Sequence, residues 1–395
     1  MRWLRQVLAL TFLNVRTLPN RPGSSAVAIV GIAAVVAVFA GVLSMANGFE
    51  RTVAGTGSDD VAIVLRDGST TELTSGLSLE QTRIIAGAPG VLRGADDEPI
   101  ASAELFVIVE MTKKSTGTGA NIALRGIQPT GYSLRKRVEI SAGRRFEAGR
   151  YEVVVGRGAQ KQFVGLELGN TIRFGQTEWT IVGVFEDGGS VFESELWCDV
   201  RVLQPAYRRG NFFQTVRAQL SGPQSLGEFE AALEEDPRVE VDVFSEREYY
   251  AEQAEAVTTF IRFVGYPLAL LMAVGAIFAA LNTMYSSVSS RAREIATLRA
   301  LGFGPTPIAV ATLVEATVLA FIGGVLGGAL AYVGMNARTA STLDQSFSQV
   351  VFNFAVTSEL LVQGLLAALI VGLIGGLFPA IRAARVPVAV ALRRL

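Results

Sequence analysis

Four segments of this sequence are apolar over the length that a membrane-spanning helix requires. Such a helix needs about 20 residues to cross the ~30 Å hydrocarbon layer, because each residue adds ~1.5 Å. The four predicted spans are residues 24–48, 261–288, 306–335 and 358–381. Charged residues make up 18% of the chain, below the ~25% of a typical soluble protein. The composition therefore agrees with a membrane protein.

Arginines near the ends of the spans indicate the direction of the chain across the membrane. They occupy the N-terminal segment, the link between the second and third spans, and the C-terminal tail: Arg2, Arg5, Arg16, Arg21, Arg291, Arg293, Arg299, Arg382, Arg385, Arg393 and Arg394. Because cytoplasmic segments are enriched in arginine and lysine, these three segments are predicted to be cytoplasmic. An even number of spans also puts both termini on one side. A cleaved signal peptide is the alternative for the first span, although its apolar run exceeds the core of about 7–15 residues that signal peptides have.

These features predict an α-helical membrane protein with four transmembrane helices and a large α+β extracytoplasmic domain between helices 1 and 2. The predicted order is a cytoplasmic amphipathic entry helix (1–23), the first span (24–48), the extracytoplasmic, periplasmic domain (49–260), the second span (261–288), a cytoplasmic coupling helix (289–305), the third span (306–335), a short extracytoplasmic loop (336–357), the fourth span (358–381) and a cytoplasmic tail (382–395). A short disordered tail is the alternative for the entry helix.

The segment 49–260 is long enough for one large core or two small ones, and strand-like and helix-like runs alternate irregularly in it. One helix-like run, residues 78–86, begins with Ser78 three residues before Gln81, the spacing of a capping box. Acidic residues outnumber basic ones there, which argues against a nucleic-acid partner. Glu193, Glu195 and Asp199 are a conceivable carboxylate cluster. Acidic residues at strand edges are usually solvated, so we expect no functional site at these three positions.

The absence of certain residues limits the chemistry that the chain can perform. It has no histidine, and Cys198 is its one cysteine, which excludes a histidine- or cysteine-based metal site within one chain and an intramolecular disulfide. It also lacks the phosphate-binding motif G-x-x-x-x-G-K-S/T. We therefore expect a non-catalytic subunit with no catalytic, cofactor-binding or metal-binding residues of its own.

The link between the second and third spans has the pattern of a short amphipathic helix. Ile295, Leu298 and Leu301 fall on one helical stripe, with charged residues around it. Gly302, Gly304 and Pro305 are expected to end the helix. Such a helix suits docking of a cytoplasmic partner. The alternative is that the segment has no docking role, and that its pattern reflects only helical periodicity and the usual enrichment of positive charge on the cytoplasmic side.

Two features inside the spans point to helix packing. Small residues four apart allow helix backbones to approach closely, and the glycines with this spacing are Gly323, Gly324, Gly327, Gly328, Gly372 and Gly376. General enrichment of glycine in membrane helices is the alternative. Glu315 is an intramembrane carboxylate, which is costly to bury unpaired. We expect it to pair with Arg291, Arg299 or polar groups such as Asn282 rather than to serve in a proton relay.

Four strings carry a family resemblance. SRAREIATLRALGFGPTPI, followed by VEATVLAFIGGVLGGALA, resembles the C-terminal permease region of the MacB/FtsX-like family of ABC transporter subunits. FPAIRAARVPVAVALR is similar to the family's close after its last span, and LALTFLNVRTLPNRPGSSAVAIVGIAA to its entry helix and first span. IALRGIQP and AGRRFEAGRYEVVVGRGAQKQFVGLELGNTIRFGQTEWTIVGVF resemble its extracytoplasmic domain. Together the strings cover most of the chain in the family's order.

The resemblance implies that the link is the coupling helix, which docks in a groove of an ATP-hydrolysing subunit. The residues concerned are Arg291, Arg293, Glu294, Ile295, Leu298 and Arg299. The resemblance also implies a pair of permeases, expected to be a homodimer, bound to two ABC ATPase subunits that hold the ATP and magnesium. Membrane lipid is a further expected partner, and the family allows for a periplasmic adaptor. The sequence begins at the entry helix, so we expect the ATPase to be a separate polypeptide, and the location to be the bacterial inner membrane.

The sequence leaves three functions to be distinguished. The leading one is a permease subunit that couples ATP hydrolysis by its partner to movement of the outer domain and so drives export. The second keeps this machine but controls a periplasmic enzyme or releases lipoproteins. The third is an ion channel or receptor without an ATPase, which predicts pore-facing polar residues or a cytoplasmic signalling domain. Neither is visible in the sequence.

Overall fold

The computed structural model describes residues 2–17 and 22–388, and it divides into two compact units. The helical unit comprises Met1–Asn47, Thr259–Arg338 and Phe354–Leu395, and the sheet unit comprises Gly48–Thr258 and Thr339–Asn353. Arg21, Arg393 and Arg394, which helped to predict the orientation, lie outside the described residues.

The chain alternates between long apolar helices and short elements. The helices are α1 (Arg2–Thr17), α2 (Pro22–Val53), α3 (Leu79–Gly87), α4 (Gly131–Leu134), α5 (Arg157–Gln162), α6 (Val200–Ala206), α7 (Leu226–Glu234), α8 (Glu246–Ser290), α9 (Ala292–Ala300), α10 (Pro305–Met335) and α11 (Ser358–Ala384). The strands are β1 (Val61–Arg66), β2 (Leu77–Ser78), β3 (Ala101–Thr112), β4 (Gly119–Ile127), β5 (Glu139–Gly143), β6 (Glu152–Gly156), β7 (Thr171–Phe174), β8 (Thr177–Glu186), β9 (Leu196–Asp199), β10 (Phe212–Phe213), β11 (Thr215–Gln219), β12 (Val241–Ser245), β13 (Thr339–Leu343) and β14 (Gln349–Asn353).

Four helices, α2, α8, α10 and α11, are long and apolar enough to cross a membrane. In the helical unit they pack through a cluster that contains Ile32, Val36, Ala320, Ala368 and Val371. Helix α8 has 45 residues, a length of about 67 Å at 1.5 Å per residue. It is therefore roughly twice as long as the hydrocarbon layer requires, and its first part belongs to the sheet unit.

A ten-stranded mixed sheet forms the centre of the sheet unit. Its strand order is β12-β1-β11-β3-β4-β9-β6-β8-β5, with β7 paired to β8. The pairs β4–β9 and β6–β8 are parallel, and the other neighbours are antiparallel. Helices and strands therefore share one α+β unit, as opposed to a parallel doubly wound one.

The two faces of this sheet differ in chemistry, since side chains alternate along each strand. On β3, Ala103, Leu105 and Val107 belong to the main hydrophobic core. The alternating residues Glu104 and Phe106 lie on the other face, where they are also buried. Both faces of the central strands are thus covered, one by an apolar core and one by charged and aromatic groups.

Two local predictions can be compared directly with the structure. The capping box at the start of α3 is confirmed: Ser78 Oγ accepts from the amide of Gln81, and the Gln81 side chain accepts from the amide of Ser78. The segment 336–357 was predicted to be a short loop and contains more structure than that. It includes the hairpin β13–β14, paired from Thr339 with Asn353 to Leu343 with Gln349.

Candidate coupling site

The predicted coupling segment forms helix α9, which lies between the two long helices α8 and α10. Gly302 ends it with a φ of +94°, a conformation that glycine adopts without steric cost. The amide of Phe303 donates to the carbonyl of Leu298, and the amide of Gly302 donates to that of Arg299. These two bonds form a Schellman motif, so the helix has a defined end.

The side chains of α9 divide into a buried and an exposed face. Ile295 is buried, and Leu298 packs beside it against a cluster that includes Leu10, Ile308 and Ala383. Arg293 and Glu294 are exposed. Leu301, which the periodicity placed on the apolar stripe, is 73% exposed. That prediction was wrong for Leu301, because the chain reaches the Schellman turn there and leaves the packed face.

Arg291 directly precedes α9 and binds three different helices. Its Nε donates to Glu294 at 3.2 Å, its Nη1 to Glu315 at 2.9 Å, and its Nη2 to Asn14 at 2.6 Å. Glu294 is on α9, Glu315 on α10 and Asn14 on α1. The arginine was expected on the coupling helix itself. The structure instead makes it the buried N-cap residue, whose guanidinium holds these helices together.

Arg299, the other partner considered for Glu315, has a different role. Its Nη1 donates to the backbone carbonyl of Val386 at 2.8 Å. It therefore ties the last turn of α9 to the chain that follows α11. Of the alternatives for Glu315, the structure selects Arg291.

The glycines of α10 and α11 lie where helices cross. An added Cβ on Gly323 would come within 2.9 Å of the Ile29 carbonyl, and one on Gly327 would clash with the Ala33 carbonyl, both on α2. Gly324 and Gly328 contact α11 instead. On the facing helix, Gly372 and Gly376 contact alanines of α10, where an added Cβ would meet Ala320 and Ala316. Helix α10 thus packs against α2 with one pair of glycines and against α11 with the other.

A second cluster, which sequence reasoning missed, lies in the sheet unit. It contains three arginines and four glutamates with side chains at most 5% exposed: Arg125, Arg135, Arg217, Glu72, Glu104, Glu195 and Glu246. We call it the buried ionic network. It lies on the second face of the sheet, on the side opposite the apolar core.

Arg125 of β4 is at the centre of the buried ionic network. It binds Glu72 through two bonds of 2.7 and 2.8 Å and Glu195 through two bonds of the same lengths. Glu195 also accepts from the indole of Trp197 at 2.7 Å. Arg135 forms a further bidentate pair with Glu104, with both bonds at 2.8 Å. Bidentate, charge-assisted bonds of this kind are geometrically specific.

Arg217 of β11 connects the buried ionic network to the start of α8. It donates to Glu246, the first residue of α8, and to the hydroxyl of Tyr250 one turn later at 3.1 Å. Tyr249 adds a bond, since its hydroxyl accepts from the amide of Glu72 at 3.1 Å. The end of α8 that lies in the sheet unit is therefore fastened to the sheet by polar groups that are withdrawn from water.

Burial and ion pairing act in opposite directions on the pKa values of these carboxyls. Burial would raise the pKa of Glu104, but the guanidiniums of Arg135 and Arg217 outweigh it and lower that pKa to about 2. Burial raises the pKa of Glu246 despite its partner Arg217. The ionised form of Glu246 is therefore less stabilised by its surroundings than that of Glu104.

The hairpin β13–β14 docks on the same unit. Lys113 Nζ donates to Ser341 at 2.9 Å and to Gln349 at 3.0 Å. In its turn, Asp344 accepts from the amides of Ser346 and Ser348. Burial raises the pKa of Asp344 to about 6 even so. A cavity of about 20 Å³, lined by Asp344 together with Glu72, Arg125 and Glu195, lies between the hairpin and the network.

The structure corrects the expectation that Glu193, Glu195 and Asp199 are solvated residues at strand edges. Glu195 and Asp199 are buried, and Glu193 accepts from two backbone amides, of Asp187 and Gly189. They are not solvated strand-edge residues, and only Glu195 joins the network. A weak signal was present, because Arg125 and Arg217 interrupt strand-like runs in IALRGI and TVRAQL. Alternation alone predicts that such arginines face water.

Metal chemistry has no evident place in these clusters. Within residues 2–17 and 22–388, no group of three or more cysteine, aspartate or glutamate side chains is arranged to hold a metal ion. The carboxylates of the network bind guanidiniums, which occupy their oxygens. The arrangement suits positioning of helices.

Two family models match the chain. The model described as the MacB-like periplasmic core domain matches residues 25–236, and the FtsX-like permease C-terminal model matches residues 267–388. The first covers more than half of the chain, and the second covers α9, α10 and α11 together with the second half of α8.

Curated relatives agree with these matches. The lipoprotein-releasing system transmembrane protein LolC of Neisseria meningitidis is 26% identical over 76% of this chain and 74% of its own length. The macrolide export ATP-binding/permease protein MacB of Pasteurella multocida is 24% identical over 72% of this chain but only 45% of its own length. An uncharacterized ABC transporter permease of Methanocaldococcus jannaschii is 24% identical, over 61% of this chain and 62% of its own.

Two solved structures are weakly similar to this chain. The periplasmic region of MacB from Actinobacillus actinomycetemcomitans covers 51% of this chain, with a TM-score of 0.36 and 12% identity. The extracellular domain of the transporter YknZ covers 47%, with a TM-score of 0.35 and 16% identity. The family models together span both units, from α2 to the end of α11. The chain therefore belongs to the MacB/FtsX-like family of ABC transporter permeases.

Proposed function

We propose that this chain is the membrane subunit of an ABC transporter whose ATPase is a separate polypeptide, and that ATP hydrolysis there moves the sheet unit on the far side of the membrane. The observation that carries this proposal is helix α8. It begins at Glu246 in the buried ionic network and ends at Ser290, directly before Arg291 and α9. One continuous helix thus joins the two polar clusters.

Hydrogen bonds hold both ends of α8 to neighbouring elements. At one end, Arg217 and the tyrosines hold the first turn of α8 to the sheet. At the other, Arg291 holds α9 to α10 and α1. A displacement of α9 by an ATPase would therefore be transmitted along α8, because hydrogen bonds hold both ends of this helix.

The ATPase contact is proposed on the exposed face of α9. Thr297 and Leu301 are one turn apart there, and Leu301 is a large apolar side chain that is 73% exposed. Exposed apolar residues among charged ones are typical of protein contacts. The arginine-rich segments would then be cytoplasmic, with both termini on that side of the bacterial inner membrane, and α1 would lie on the membrane surface through exposed residues such as Trp3 and Phe12. A pair of such chains would bind two ATPases.

Export is the proposed output, and release of lipid-anchored proteins is the second candidate. LolC favours the second candidate, since its printed name concerns lipoprotein release and the match covers 74% of its length. The two are separated by deleting the chain in its native host. Under the first, the deletion strain accumulates macrolides, the compounds in the printed name of MacB, and under the second, lipoproteins remain in the inner membrane.

The coupling proposal is tested with Leu301→Asp. We expect this variant to lose co-purification with the ATPase subunit and stimulation of its ATP hydrolysis. Thr306→Asp is the matched control, because it adds the same charge at an exposed position in the first turn of α10, outside α9. Equal ATPase binding by wild type and Leu301→Asp would refute the proposed contact. Failure to recover any ATPase with the wild-type chain from native membranes would refute the whole function.

A further inference from the structure

A groove of about 970 Å³ lies in the helical unit beside the coupling segment. It is formed by the last turns of α8, the first turn of α9 and the last turns of α11. It is distinct from the exposed face of α9 at Thr297 and Leu301, because neither of those residues lines it.

The lining of the groove changes from apolar to cationic along α11. Phe378 and Ile381 line its apolar part, and Arg382 and Arg385 follow directly. Seven residues separate Phe378 from Arg385, a rise of about 10 Å along the helix. The groove therefore extends from the apolar body of a predicted span to the level at which that span leaves the hydrocarbon.

The cationic part carries a net positive charge. Arg293, Arg382 and Arg385 line it against one carboxylate, Glu294, which leaves a net charge of +2 from three positive groups and one negative group. The guanidinium of Arg382 lies over the ring of Tyr285, 5.3 Å from its centroid. This cation–π contact holds one charge in place at the edge of the groove.

We propose that this groove binds the phosphate headgroup of an anionic phospholipid from the inner leaflet, with an acyl chain along Phe378 and Ile381. Basic pockets between transmembrane helices on the cytoplasmic side are suited to such headgroups, since phosphate pairs with arginine and the adjoining wall contacts lipid tails. The groove supplies both parts in the order in which a phospholipid presents them.

The apolar wall favours a lipid over a soluble protein. Phe378 is 56% exposed and Ile381 is 39% exposed within the helical unit, and both belong to a span. A cytoplasmic protein would cover the arginines and leave this wall to the bilayer. An anionic lipid covers both.

The test uses the full chain in nanodiscs of phosphatidylcholine with a minor fraction of phosphatidylglycerol, followed by native mass spectrometry of the lipids that the protein retains. We expect the wild-type chain to retain phosphatidylglycerol in preference to phosphatidylcholine. The double variant Arg382→Gln/Arg385→Gln should lower this preference roughly 25-fold, since each arginine that is hydrogen-bonded to the phosphate contributes roughly fivefold. Arg385→Gln alone leaves the Tyr285 contact intact and should lower it roughly fivefold.

The matched control is Arg5→Gln/Arg16→Gln, which removes two exposed arginines of α1 outside the groove. It should retain the preference. Equal losses in the two double variants would show general surface attraction and overturn the site, as would equal retention of both lipids by the wild type. Displacement of the lipid by inorganic phosphate would show that the groove binds a soluble anion, and would overturn the proposal of a lipid ligand. A groove variant that keeps its lipid but loses the ATPase subunit would make the groove a protein contact.

Discussion

Arg291 Nη1 donates a 2.9 Å hydrogen bond to Oε2 of Glu315, and both side chains are at least nine-tenths buried. The same guanidinium reaches Asn14 through its other terminal nitrogen. Glu315 is thus a structural partner of the coupling segment. Its carboxylate, together with that of Glu294, compensates the charge of the buried guanidinium.

The first prediction concerns this pair. Arg291→Gln and Glu315→Gln should each lower the free energy of unfolding by about 3–5 kcal/mol, because each removes one member of a buried ion pair. The double variant should lose clearly less than the sum. The measurement is denaturant unfolding of the purified chain in detergent.

Arg299 provides the matched control for this cycle. Since Arg299 donates to the carbonyl of Val386, the effects of Arg299→Gln and Glu315→Gln should add. Additive effects for Arg291 and Glu315 as well would mean that the two side chains are not energetically coupled.

The second prediction concerns the buried ionic network. Arg217→Met removes the guanidinium that pairs with Glu72, Glu104 and Glu246, and should lower the free energy of unfolding by about 3–5 kcal/mol. Glu246→Gln should cost only about 1 kcal/mol. Burial raises the pKa of Glu246, so its surroundings stabilise its ionised form less than burial destabilises it, and glutamine keeps an acceptor oxygen.

The comparison is made by the fluorescence of Trp179 and Trp197, which are fully buried in the sheet unit. Arg238→Met is the control. Arg238 pairs with Asp236 at the surface, where removing one partner should cost less than about 1 kcal/mol. If Glu246→Gln is as destabilising as Arg217→Met, then the charge of Glu246 is essential to the network, which contradicts the direction of its pKa shift.

The third prediction concerns pH. Burial raises the pKa of Asp344 from 3.8 to about 6. A carboxyl whose pKa is raised on folding binds protons more tightly in the folded state, so its stabilising contribution is present below about pH 4 and is lost as the pH rises through about 6. Asp344→Asn removes this titration. The unfolding free energy of the variant relative to wild type should therefore increase by about 3 kcal/mol between about pH 4 and pH 8.

The slope of that difference, and not its absolute value, is diagnostic. Asparagine can replace one acceptor oxygen of Asp344 but not both, so a constant offset is expected from the bonds to Ser346 and Ser348. Glu104, whose pKa is lowered to about 2, contributes a pH dependence that is common to both proteins and cancels. A flat difference across this range would contradict the buried environment of Asp344.

The fourth prediction concerns helix packing. Gly327→Ala should destabilise the chain by about 1–3 kcal/mol, because the new methyl group would clash with the Ala33 backbone and lie 2.8 Å from Val36 Cβ. Gly334→Ala, on the same helix, has no neighbouring atom within 4 Å of the added carbon. It should change stability by less than about 0.5 kcal/mol. Thermal unfolding in detergent distinguishes them, and equal effects would indicate a general helix-propensity cost instead of a packing contact.

Local pattern was sufficient for several features of the chain. The four spans can be predicted from the length of their apolar segments, and the end of α9 can be predicted from Gly302. Both features depend on residues that are close together in sequence. The capping box at Ser78 and Gln81 is equally local. The family resemblance, carried by motifs along the chain, was confirmed by the family models.

Long-range pairing was beyond the sequence. Arg125 meets Glu72 and Glu195 across 53 and 70 residues, and nothing near Arg125 identifies those partners. The strand pattern placed its side chain on a polar face, but only the packed fold shows that α8 and its tyrosines cover that face. The hairpin β13–β14 was not predicted, for a related reason. Its docking on the sheet unit depends on Lys113, which is far away in the chain.

The amino-acid sequence by itself determined the membrane class, the four apolar helices and the family, because the hydrophobic effect and backbone geometry act on neighbouring residues. Only the tertiary structure decided which charges are buried and which partner each one has. Glu315 had several candidate partners in the sequence, and Arg291 was selected over Arg299 by the crossing of α9, α10 and α1. A buried charge requires a partner, but three-dimensional packing determines which one lies within reach.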